Sequence, residues 1–99
     1  MRLSAEHRDR IRELVREAAG ERAEVRLFGS RLRDDVRGGD LDLLVTVDEP
    51  VANPALLIAR LEARISRAIG GRSVDVILQA PNLQESAIHR VAAEEGIAL

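Results

Sequence analysis

Residues 27–45 read LFGSRLRDDVRGGDLDLLV, and the rest of the chain is understood outward from them. An apolar run ends at Phe28, Gly29-Ser30 turns the chain, and nine residues rich in Arg and Asp lead to a second apolar run carrying Asp40 and Asp42. Side chains alternate faces along a β-strand, so Asp40 and Asp42 project from one side with Cα atoms ~6.6 Å apart, while Leu41 and Leu43 face a core. Two ionised carboxylates beside apolar neighbours are costly unless a cation lies between them. Oxygen donors in a chain without Cys suit Mg²⁺ or Mn²⁺ rather than Zn²⁺. A helix starting at Ser30 would add free backbone N–H groups and a hydroxyl, donors suited to an anion. The stretch reads as a metal-nucleotide site.

Gly29-Ser30, the spacer, Asp40-Leu41-Asp42 and the apolar Leu43-Leu44-Val45 resemble the signature of the minimal nucleotidyltransferases, small members of the DNA polymerase β-like superfamily. That family carries a third acid on a later strand, and Asp75 in Ser73-Val-Asp-Val-Ile-Leu78 stands in the matching place. The resemblance covers nearly the whole chain. It implies the polymerase β-like fold, ATP as substrate, and Asp40, Asp42 and Asp75 as catalytic residues that hold two Mg²⁺ ions (or Mn²⁺). It also implies that Gly29, Ser30 and Arg31 hold the phosphates, with Arg33 a second candidate for the leaving-group charge. Proteins of this kind often act as antitoxins that adenylylate a Tyr of a small helical HEPN-type toxin, so the resemblance further implies a hetero-oligomer with such a partner. Two rival readings stand beside this one. The chain could be a vestigial module that neutralises a partner by contact, a reading opposed by its retention of all three acids. It could instead modify a small molecule such as an aminoglycoside, but no stretch forms a sugar pocket.

Composition narrows the field. Ninety-nine residues read as one domain, 1–99, enough for a single core with little margin. After the catalytic strands no room is expected for a substrate-binding domain, so the acceptor is expected to be recognised by a partner or to be the partner itself. A net charge of −2 provides no basic field for nucleic acid, and Phe28 as the sole aromatic leaves no platform for stacking bases. No apolar run spans a membrane, and the opening MRLSAEHRDR lacks the apolar core of a signal peptide. Without Cys there is no disulfide framework, and the expected location is the cytoplasm.

The flanking sequence supplies a scaffold of alternating helices and strands. Ser4 to Ala19 reads as a helix capped by Ser4 and stopped by Gly20, with Ile11, Leu14, Val15 and Ala18 on one face. Ala23 to Phe28 reads as a strand, Arg31 to Arg37 as a short helix or turn, and Leu41 to Val47 as a strand antiparallel to the first. That second strand is buried on both faces beyond its acidic start. Asn53 as N-cap and Pro54 open a helix to about Ile69, with Leu57, Leu61, Ile65 and Ala68 inward. Its Arg60, Arg64 and Arg67 form an outer, solvated row. Ser73 to Gln79 is a third strand, interrupted by Asp75. Gln84 to Glu95 reads as a final helix with Ile88, Val91 and Ala92 inward, and Ile97-Ala98-Leu99 as a docked tail. His7 reads as solvated and His89 as structural or exposed. The order predicts an α/β or α+β sandwich: a small mixed sheet with helices mainly on one face and the other face more open.

Overall fold

The computed structural model describes residues 3–28 and 41–99, with the side chain of Ile88 also left aside, and the statements below refer to these residues. The first helix, α1 (Ala5–Ala19), begins where Ser4 stays extended and its hydroxyl accepts the His7 N–H at 3.1 Å. It ends at Gly20, whose φ of +109° suits a residue without Cβ and whose N–H donates to the Arg16 carbonyl. The strand β1 (Glu24–Phe28) follows, then β2 (Leu41–Thr46). The second helix, α2 (Pro54–Ala68), starts with the Asn53 side chain accepting from the Leu56 N–H at 3.2 Å, beside a proline that has no N–H to leave unsatisfied. After it come β3 (Val74–Gln79), α3 (Ala87–Glu95) and β4 (Ile97–Ala98).

The sheet order is β3-β2-β1-β4. β1 lies antiparallel to β2 and to β4, while β2 and β3 run parallel and are joined through α2. Alternation along the strands divides the apolar side chains between two layers. Leu27, Leu41, Leu43, Val45, Val76 and Leu78 turn to the layer of α1 and α2, where they meet Ile11, Val15, Leu61 and Ile65. Phe28, Leu44 and Ile77 turn to the opposite layer and are met by Ala92 of α3. β2 is therefore buried on both faces along Leu43, Leu44 and Val45, the pattern expected of a central strand. The small α+β architecture, a mixed sheet with two helices on one face and a short one on the other, is the one the sequence predicts.

Edge strands need partners for the backbone groups they turn outward. The Ser73 and Gln79 carbonyls bond to β2, so Val76 and Leu78, which alternate with them, face away from it. Glu62 of α2 accepts the Val76 N–H at 3.0 Å, and His89 Nε2 lies 3.0 Å from the Leu78 carbonyl. A carbonyl can only accept, so Nε2 carries the proton; His89 Nδ1 then accepts the Ser86 N–H at 3.2 Å. His89 thus ties the start of α3 to the edge of β3, the first of the two alternatives, structural or exposed, that the sequence leaves open.

Three expectations are revised. The last helix starts at Ala87 rather than Gln84, because Ser86 is extended and serves as its N-cap. Val91 is 48% exposed, whereas Ala92 is fully buried. Ala92 packs on Phe28 and Leu44, while the expected inward place of Ile88 concerns a side chain outside the described ones. Ile97 to Leu99 is more than a docked tail: Ile97 and Ala98 pair with Leu27 and Arg26 as a fourth strand. The expected turn between Arg31 and Arg37 lies outside the described residues. No described helix is long and apolar enough to cross a membrane.

Truncation should separate the two burial classes. Leu43→Ala, at a fully buried position of β2, is expected to lower unfolding free energy by about 2–5 kcal/mol. Val91→Ala, at an exposed one, should change it by less than ~0.5 kcal/mol in urea titrations.

Candidate active site

Asp42 occupies the second position of β2, and Asp75 the second position of β3. The parallel register sets them directly opposite each other, while the antiparallel register sets Phe28 opposite Asp42 on the other side. One row across three strands therefore reads Phe28, Asp42, Asp75, all on the face away from α1 and α2. Neighbouring strands lie ~4.8 Å apart, so the two carboxylates leave the sheet side by side. Their sequence neighbours Leu41, Leu43, Val74 and Val76 point the other way and are buried. Asp42 is half-buried and Asp75 exposed. Phe28 forms an apolar wall at one end of the row, packed on Leu44 and Ala92.

Several local features hold this register. The Leu41 N–H donates to the Ser73 carbonyl and the Val47 N–H to the Gln79 carbonyl, each at 2.9 Å, bracketing the acid pair along both strands. Gly70 and Gly71, both with φ of +83°, turn the chain out of α2. The Gly71 N–H returns to the Ser66 carbonyl at 2.8 Å, and Ser66 Oγ donates to the Arg72 carbonyl at 2.6 Å. With the Glu62 bond to Val76, these contacts set where β3 begins relative to α2. Displacing β3 by one residue would send Asp75 into the helix layer.

Two carboxylates on adjacent strands repel, and a divalent cation with hard oxygen ligands relieves that repulsion. The donor chemistry of Asp42 and Asp75 fits Mg²⁺ or Mn²⁺. Among the described residues no group of three or more His, Cys, Asp or Glu converges to hold a metal. Of the three acids expected to do so, two are brought together here; Asp40 lies outside the described residues, as do Gly29, Ser30, Arg31 and Arg33. A groove of mixed charge between α1 and α2, about 700 Å³, is lined by Glu6, His7, Arg10, Glu17, Arg64 and Arg67. It belongs to the helix layer, on the opposite side of the sheet from the acids. Phe28 was absent from the expected site residues. Its place as the last residue before Gly29-Ser30, two residues from the loop, is the signal that could have marked it as a wall of the site.

Residues 8–99 match the family model described as a nucleotidyltransferase domain, a span that takes in both acids and every described strand. A search of the curated proteins finds no match.

The acid pair generates a direct expectation. Titration calorimetry should detect ATP binding clearly with Mg²⁺ and only weakly with excess chelator, because a cation shared by the acids offsets their repulsion of an anionic triphosphate. Equal affinity under both conditions would contradict this reading of Asp42 and Asp75.

Proposed function

The chain belongs to the nucleotidyltransferase-domain family of the polymerase β-like superfamily, and on that premise we propose that it transfers AMP from ATP to a hydroxyl of a partner protein. The observation that carries the proposal is the register of Asp42 against Asp75, two acids side by side on one face of the sheet, in a chain matched over residues 8–99 by a nucleotidyltransferase domain. The partner in this reading is a helical HEPN-type toxin, the modified group is a Tyr phenol, and the chain acts as the antitoxin. The absence of Tyr from the 99 residues supports an acceptor supplied in trans.

Asp40, Asp42 and Asp75 are the residues that would hold two Mg²⁺ ions. Bound there, the ions supply Lewis-acid stabilisation of the attacking and leaving oxygens. The chain's own groups do the rest. The acceptor oxygen attacks the α-phosphorus, the bond to the β-phosphate oxygen breaks, and pyrophosphate leaves. Asp75, exposed at the rim of the sheet, takes the acceptor's proton. The half-buried Asp42, with Leu41 and Leu43 locked in the core beside it, keeps a fixed orientation through the reaction. Gly29, Ser30 and Arg31 are assigned to the β- and γ-phosphates on their sequence pattern: a glycine that admits close backbone approach, a hydroxyl and a cation.

Substitution of the acids tests the catalytic role apart from the fold. Asp42→Asn removes one charge at nearly constant volume, so nucleotidyl transfer should be lost while the thermal midpoint stays within a few degrees of the metal-free parent. A larger fall in midpoint would make Asp42 a structural residue instead. Intact-mass measurement of the partner after incubation with ATP then decides between enzyme and binder. One AMP should be added to the partner and none to this chain. The addition and the partner's neutralisation should both fail with Asp40→Asn or Asp42→Asn, although the complex still forms. Protection by both variants without added nucleotide would mean that contact alone neutralises.

A further inference from the structure

Asp42 and Asp75 are held unequally. Asp42 lies on a strand with hydrogen-bonded neighbours on both sides, β1 and β3. Asp75 lies on β3, at the edge of the sheet, where β2 is its strand neighbour on one side. Backbone groups of consecutive residues turn to opposite sides of a strand, so the N–H of the Asp75–Val76 peptide points away from β2. Glu62 of α2 meets it there, its Oε2 accepting the Val76 N–H at 3.0 Å. The plane of that peptide is one of the two that fix the Cα–Cβ direction of Asp75. The bond is charge-assisted, about twice as strong as one between neutral groups.

Two other roles for Glu62 are less well supported. The register of β3 does not rest on this bond alone, because the Leu41 and Val47 N–H groups secure it from β2 through the Ser73 and Gln79 carbonyls. Glu62 is also not a third ligand beside Asp42 and Asp75, since among the described residues no three of His, Cys, Asp and Glu converge to hold a metal. Half-buried on α2, it forms no ion pair among the described residues either. Its carboxylate is committed to the peptide that carries Asp75.

We propose that Glu62 is a positioning residue of the acid pair, holding the Asp75 carboxylate in place for a divalent cation through the Asp75–Val76 peptide. The proposal rests on the reading of Asp42 and Asp75 as a cation site. Without the acceptor, the Val76 N–H turns to water and the peptide is free to rock, and the Asp75 side chain moves with it. Mg²⁺ demands near-ideal octahedral geometry, whereas Ca²⁺ accepts a flexible set of oxygens, so Mg²⁺ registers the loss first.

The full chain, labelled with ¹⁵N and free of nucleotide, is titrated with Mg²⁺ and separately with Ca²⁺ while the Leu43 amide resonance is followed. Glu62→Ala should weaken Mg²⁺ binding roughly tenfold, the scale on which partners behind a metal ligand act, and Ca²⁺ binding by clearly less. Glu62→Gln keeps an acceptor of the same length and should stay near the parent. Glu62→Asp keeps the charge but falls one methylene short of Val76, so it should weaken Mg²⁺ as Glu62→Ala does. It serves in that variant's place should Glu62→Ala fail to fold. Exchange of the Val76 amide proton should quicken in Glu62→Asp and not in Glu62→Gln. Parent-like Mg²⁺ binding by Glu62→Ala or Glu62→Asp, a loss in Glu62→Gln as large as theirs, or equal losses for Mg²⁺ and Ca²⁺ would overturn the role of Glu62 alone. A parent chain that does not respond to Mg²⁺ would overturn the cation site itself and the proposed function with it.

Discussion

Everything at the acid pair depends on β2 being held on both sides and both faces. Leu43 and Val45 are locked among α1 and α2, Leu44 is covered by Phe28 and Ala92, and the strands β1 and β3 take up its backbone groups. A strand so constrained cannot shift its register without turning apolar side chains to solvent and acids to the core. Asp42 inherits its position from that constraint. Asp75 inherits its own from the βαβ crossover, in which the Gly70-Gly71 turn, the Ser66 bond to Arg72 and the Glu62 bond to Val76 decide where β3 begins. The apolar burial on the other face of the same strands is what fixes the two carboxylates side by side.

The two sides of the sheet consequently do different work. The face toward α1 and α2 carries most of the apolar core. Among the described residues one short helix covers the face toward α3, through Ala92, and Asp75 is exposed there. Partial coverage costs some stability in a domain of this size. Among the described residues it also leaves Asp75 exposed at the edge of the sheet. At the edges, side chains rather than further strands satisfy the backbone: Glu62 and His89 on β3, Arg8 on β4.

Much of this was legible in the residues. Ser4, Gly20, Asn53 and Pro54 mark helix ends through capping chemistry that acts over three or four residues, so these boundaries follow closely from local sequence. The acids on two strands were equally plain. Their opposition was not, because register between parallel strands is set by the length and packing of the intervening helix, which no short pattern encodes. The strand at Ile97–Ala98 escaped for another reason: two residues are too few to display alternation. Val91 was misplaced because the helical period predicts a stripe but not its width, and Val91 lies outside the buried part. Glu62 and His89 looked like ordinary polar residues, since their value lies in reaching backbone groups distant in sequence.

The central claim is that Asp42 and Asp75 form one cation site across two parallel strands. Paramagnetic broadening by Mn²⁺ in an amide correlation spectrum tests it most directly, because the effect falls steeply with distance from the ion. At substoichiometric Mn²⁺ the amides of Leu43 and Val76, flanking the two acids, should broaden first, while those of Ala18 and Arg64 in the helix layer stay sharp. The broadening should disappear with either Asp42→Asn or Asp75→Asn. Broadening centred elsewhere, or unchanged by both substitutions, would contradict the account.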